Sequence, residues 1–130
     1  MPWVEIFIVF GVSHLVGDYI LQTEFQATNK RGGLGRDPVK RRALLMHTVT
    51  YTLVFVPALI WLATEHDALT VVLAGLAIGV PHGLQDDGRF IAYWMRSTKR
   101  TNQGPGTLAM MVDQSFHAVV LFLIAVLVGS

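Results

Sequence analysis

No cysteine occurs in this chain of 130 residues, so disulfides and thiolate metal sites are both excluded. Charge is scarce too: Asp, Glu, Lys and Arg make up 15% of the chain, against about 25% in an ordinary soluble domain. Most of the chain has no basic residue at all, because all ten Lys and Arg fall within Lys30–Arg42 and Arg89–Arg100. The start, Met1-Pro2-Trp3-Val4-Glu5, lacks the basic region of a cleaved signal peptide. No serine–histidine pair or phosphate-cradling glycine loop supports a metal-free reaction mechanism.

What the chain does have is apolar length. Hydrophobic residues make up 52% of it, gathered into four segments, Val4–Gln22, Ala43–Ala63, Ala68–Asp86 and Leu108–Val128. Each approaches the roughly 20 residues that a helix needs to cross a bilayer, and helices satisfy their own backbone groups in lipid. The expected fold is all-α: a four-helix transmembrane bundle forming one domain over residues 1–130. The two basic connections, between segments one and two and between segments three and four, are expected on the cytoplasmic side, with both termini outside. That places the chain in a bacterial inner membrane as a multi-pass protein. The basic loops then meet anionic inner-leaflet headgroups, and no nucleic-acid partner is expected. Gly32-Gly33-Leu34-Gly35 reads as a flexible turn. Phe90, Ile91, Trp94 and Met95 share one face of a short cytoplasmic interfacial helix over Arg89–Arg100. Gly104-Pro105-Gly106 breaks the chain, and Thr107 is a candidate cap for the fourth span.

Ionisable groups inside these segments need a reason, since each costs roughly 2.5–3.5 kcal/mol at the bilayer centre even on the lenient insertion scale. Four of the five histidines lie there, and three have an Asp four residues away: His14 with Asp18, His82 with Asp86, and Asp113 with His117. His47 stands alone on the second segment, one turn from Tyr51, and His66 falls in the outer turn. Alternating chain direction brings all seven groups into one slab, from the cytoplasmic interface to roughly 14 Å below it. Residues at i and i+4 share a helix face, so each pair aims an imidazole and a carboxylate at one point. Such donors suit one or two divalent ions such as Zn, Mn or Fe. His14, His47, His82 and His117 are the imidazole candidates. Asp18, Asp86 and Asp113 are candidate ligands, or one of them a catalytic general base. Gln22, Gln85 and Gln114 are candidates to orient them. Pro81 is expected to kink the third segment above His82. Gly75, Gly79 and Gly83 give the same segment a smooth packing stripe.

A faint repeat runs through the pattern. Val12-Ser13-His14-x2-Gly17-Asp18 echoes Val80-Pro81-His82-x3-Asp86, and a second histidine follows on the next span in each half, His47 and His117. This reads as two helical hairpins related by a pseudo-two-fold axis along the membrane normal. The ordered motifs His14-Leu15-x-Gly17-Asp18-Tyr19-x-Leu21-Gln22, Lys30, Leu45-x-His47-x3-Tyr51, His82-x3-Asp86 and Asp113-Gln114-x2-His117 resemble a family of small bacterial and phage membrane proteins known as a domain of unknown function. The resemblance covers nearly the whole chain and implies a multi-pass membrane protein without implying an activity. A looser likeness is to inner-membrane metal-dependent hydrolases. Three functional classes follow as expectations: a metal-dependent hydrolase working at the inner leaflet; a metal or proton transporter; and an interaction protein, homo-oligomeric or bound to another membrane protein, in which the His/Asp cluster is a metal-free polar network.

Overall fold

A computed structural model describes residues 1–102 and 106–130. Helices dominate, and no strand occurs among the described residues. The elements are α1 (Trp3–Leu15), a π-helical turn (Val16–Ile20), α2 (Glu24–Asn29), α3 (Pro38–Val54), α4 (Val56–Leu62), α5 (Ala68–Asp86), α6 (Arg89–Ser97) and α7 (Thr107–Val128). Four helical stretches are long and apolar enough to cross a membrane: Trp3–Ile20, Pro38–Leu62, Ala68–Asp86 and Thr107–Val128. Their outward faces carry exposed Ile8, Ile60, Leu69 and Leu127, more apolar surface than water tolerates and what lipid requires.

The second stretch starts earlier than the expected Ala43. Pro38 takes the first helical position and the Asp37 side chain accepts from Val39 N and Lys40 N, so the helix extends through Lys40, Arg41 and Arg42. It is broken at Phe55. Pro57, in the first turn of α4, cannot donate to the carbonyl one turn back, and two helices meet there. Pro81, where a kink is expected, lies inside α5, and the helix continues through it from Ala68 to Asp86. Asp67 caps the start of α5, its side chain accepting from Thr70 N at 3.0 Å.

Around the bundle, α1 lies beside α7 and α3, and α5 likewise lies beside α7 and α3, leaving α1 diagonal to α5 and α3 diagonal to α7. The hairpins anticipated from the repeat thus place their equivalent helices across a central axis. The glycine stripe serves the α3–α5 contact: a Cβ on Gly79 would lie 2.7 Å from Thr52 Oγ1, and one on Gly83 3.1 Å from Thr48 Oγ1.

The interior divides in two. One half is an apolar cluster of Ile6, Phe10, Tyr51, Phe55, Ala58, Leu62, Ala74, Ile78, Leu121, Ile124 and Ala125. The other, toward α2 and α6, holds the buried His and Asp side chains. The short helix α6 forms as anticipated, and its apolar face rests on α7. Ile91 and Met95 pack on Ala109, and Phe90 and Trp94 set their rings edge-on to Phe116.

Two local expectations change. The Gly32–Gly35 turn is pinned rather than flexible: Gly32 N donates to the Asp87 carbonyl at 2.8 Å, and Leu34 N donates to Asp87 Oδ1 at 2.8 Å. Thr107 is the first residue of α7 instead of its cap, a place taken by Gly106. The chain break expected at Gly104 and Pro105 lies outside the described residues.

Candidate metal centre

The site begins where α1 changes pitch. Leu21 N donates to the Val16 carbonyl, five residues back, at 2.9 Å, the signature of a π-helical turn. The surplus residue helps aim Asp18 inward while Tyr19 and Ile20 face out. Gly17 makes room beside it, since a Cβ there would sit 2.7 Å from Tyr51 Cδ2.

Four donor atoms converge from three membrane-length helices. His47 Nε2 lies 3.1 Å from Asp18 Oδ1, 2.8 Å from Asp86 Oδ2 and 3.0 Å from His82 Nε2. His82 Nε2 lies 3.0 Å from Asp86 Oδ2 and 3.5 Å from Asp18 Oδ1. All four side chains are buried. A tetrahedral Zn²⁺ with bonds of about 2.0–2.1 Å holds its ligand atoms roughly 3.3 Å apart, close to the span of these five separations.

A second group adjoins the first. Asp86, Asp113 and His117 present three buried donor atoms within 4.8 Å of one another, so Asp86 belongs to both groups. His117 Nε2 lies 3.6 Å from Asp86 Oδ1. Its other ring nitrogen donates to the Asp113 carbonyl at 2.8 Å, which fixes the proton on Nδ1 and leaves Nε2 a lone pair.

His14 belongs to neither group, although its Nδ1 lies 3.7 Å from Asp18 Oδ2. Its Nε2 donates to Gln114 Oε1 at 2.9 Å and its Nδ1 accepts from the Tyr51 hydroxyl at 3.0 Å. Gln114 Nε2 in turn donates to Asp18 Oδ2 at 3.3 Å. His14 therefore orients Asp18 through Gln114, and both of its nitrogens are used. Gln22 donates only to the Asp18 backbone carbonyl, and Gln85 Oε1 is buried without a partner. Tyr51 does more than pack: its ring stacks on His82 with centroids 3.3 Å apart. His66 lies at the far end of the bundle, in the turn before α5.

Lys30 is the residue that residue patterns missed as a site member. Its Nζ lies 2.9 Å from Asp86 Oδ2, brought there by the turn that Asp87 anchors. No periodicity signals a loop lysine; only its recurrence among the resembling motifs points to it. Lys30 is also the one Lys or Arg in direct contact with Asp18, Asp86 or Asp113 among the described residues. With neutral imidazoles, ionised carboxylates there outnumber cationic side chains, and such an excess is not stable in a buried region without a proton or a cation. Beside this charge lies a slot of about 10 Å³ lined by Tyr51, Ile78, His82, Gln85, His117, Val120 and Leu121, room for about one water.

A four-helix membrane-type bundle with a buried polar site defines the class. Within it, a family model matches residues 6–130, and the chain belongs to that family, DUF3307, described as a protein of unknown function. Searches of curated proteins and of solved structures found no match.

Proposed function

We propose that this chain is an integral membrane metalloprotein of the bacterial inner membrane, with a divalent ion held by Asp18, His47, His82 and Asp86 just beneath the cytoplasmic surface. The observation that carries this reading is the convergence of four buried donor atoms at 2.8–3.5 Å. With neutral imidazoles, one of the two facing Nε2 atoms must turn a lone pair toward the other and toward the shared Asp86 carboxylate, an arrangement that suits metal ligation better than hydrogen bonding. His14, Gln114 and Tyr51 hold the first of those ligands in place, as hydrogen-bonded neighbours do around protein metals. The two basic loops beside the site support a cytoplasmic position for it.

The chemistry that suits the place is metal-dependent hydrolysis of an ester or phosphoester at inner-leaflet headgroup level. A bound divalent ion supplies a water acidic enough to attack at neutral pH. Lys30, beside Asp86, would meet the anionic part of a substrate. Outside the α3–α5 pair, an apolar groove of about 620 Å³ is lined by Leu45, Val49, Leu53, Leu76 and Val80, with Arg41 also on its wall. It offers a lipid acyl chain and headgroup a place beside the site.

The Lys30–Asp86 contact favours one other reading, a metal-free network that knits the bundle together. Elemental analysis of protein purified in detergent without chelator separates the two. Zn, Mn or Fe near stoichiometric amounts, lost in His47→Ala, supports the metalloprotein. Metal absent from both proteins leaves the network. Hydrolysis is then tested on phospholipid and aryl-phosphate esters with metal-loaded wild type beside His47→Ala.

A further inference from the structure

Three buried atoms in the second group have no hydrogen-bond partner: Asp86 Oδ1, Asp113 Oδ1 and His117 Nε2. Each residue is at least nine-tenths buried, with exposures of 3%, 9% and 2%. The three are of one chemical kind. Two are carboxylate oxygens, and the third is an imidazole lone pair, because the His117 proton is committed to the Asp113 carbonyl. Acceptors grouped this closely with no donor among them repel one another. A low-dielectric interior magnifies that repulsion. An isolated buried acceptor already costs about 1–3 kcal/mol, so the arrangement calls for something positive at its centre. The cation nearby does not supply it, since Lys30 reaches Asp86 at Oδ2, the oxygen turned toward the first group.

We infer that a second divalent cation binds between Asp86, Asp113 and His117, and that the Asp86 carboxylate bridges two ions, giving Oδ2 to one and Oδ1 to the other. The inference rests on the metalloprotein reading above and deepens it. Three protein ligands leave the second ion with open positions, as catalytic ions have and structural ones do not. The small slot beside His82 and His117 has room for about one water next to the proposed ion. Two ions sharing a carboxylate form the clamp that in-line displacement at phosphorus uses, one stabilising the attacking oxygen and the other the leaving oxygen. Charge narrows the substrate further. Two divalent ions with Lys30 outweigh the three carboxylates, so the complete centre is cationic and selects an anionic substrate, a phosphoester in preference to a neutral carboxylic ester. In the reaction the water oxygen bonds to phosphorus, the P–O bond to the alcohol breaks, and the proton released by the water ends on the departing alkoxide.

The test uses the full chain in detergent, stripped with chelator and titrated with Mn²⁺ alone. Wild type is expected to bind two equivalents, and its paramagnetic resonance spectrum to change from an isolated six-line signal at one equivalent to a spin-coupled pair at two. Asp113→Asn and His117→Gln are expected to bind one equivalent and show no coupling, and Asp86→Asn to lose high-affinity binding at both positions. One equivalent in wild type, lost in His47→Ala and unchanged in Asp113→Asn, overturns the second ion and leaves the first. No binding in wild type overturns both. The wild-type spectrum decides between one ion and two even where a variant fails to fold.

Discussion

On the proposed reading, single side chains would set how tightly the centre holds an ion. Lys30 Nζ, 2.9 Å from Asp86 Oδ2, occupies the approach that a metal would take and neutralises the same carboxylate. Replacing it with Met removes a competing positive charge. Lys30→Met is expected to bind Mn²⁺ or Zn²⁺ more tightly, by at least about tenfold, equivalent to roughly 1.4 kcal/mol, in a competition titration with a chromophoric chelator. Weaker binding would show instead that the ammonium holds the carboxylate in position. Gly17 makes an independent test of the packing. In Gly17→Ala the new methyl meets Tyr51 Cδ2 at 2.7 Å, and the ring cannot yield without leaving its stack on His82 and its bond to His14. Overpacking of this kind typically costs about 1–3 kcal/mol, to be read as a lowered thermal midpoint in detergent. The spacing of His82 and Asp86, and of Asp113 and His117, was legible in the sequence because i, i+4 geometry is local. The separate role of His14 was not. It depends on Gln114, a hundred positions away, and on the π-helical turn, which has no compositional mark.

At the level of the helices, apolar length located the four spans, and turn chemistry refined their ends. Ala68–Asp86 is read correctly to the residue because Asp67 caps it and Gly88, at φ +83°, ends it in a conformation that glycine accepts readily. The second span was misjudged at its start, since charged residues look foreign to a membrane helix although here they extend it back to Pro38. Its interior break at Phe55 was not anticipated, although Pro57 stands two residues beyond it. The cap of α5 carries a pH signature. Backbone donation from Thr70 holds the Asp67 carboxyl below the usual carboxylate range. A depressed carboxyl stabilises the fold above its unfolded pKa, and that contribution is lost as pH falls through the folded value. Asp67→Asn is therefore expected to flatten the acid limb of a stability–pH curve below about pH 4 while leaving the neutral region little changed, as measured by circular dichroism.

In the molecule as a whole, the polar half and the apolar half of the interior perform different tasks. A membrane that stores energy as a proton gradient cannot tolerate a conducting line of carboxylates from face to face. Phe10, Phe55, Ile78 and Leu121, with their neighbours, act as insulation: any ion crossing that stretch would leave water and every charged partner behind, at a penalty of several kcal/mol even after relaxation. Liposomes containing the protein should hold an imposed pH difference as long as empty ones do, followed with an entrapped pH-sensitive dye. Rapid collapse of the difference would reveal a leak and make the chain a conduit. An intact gradient would mean that the polar pocket opens to one side only, so that on the proposed reading a substrate would enter and its product depart by the same door.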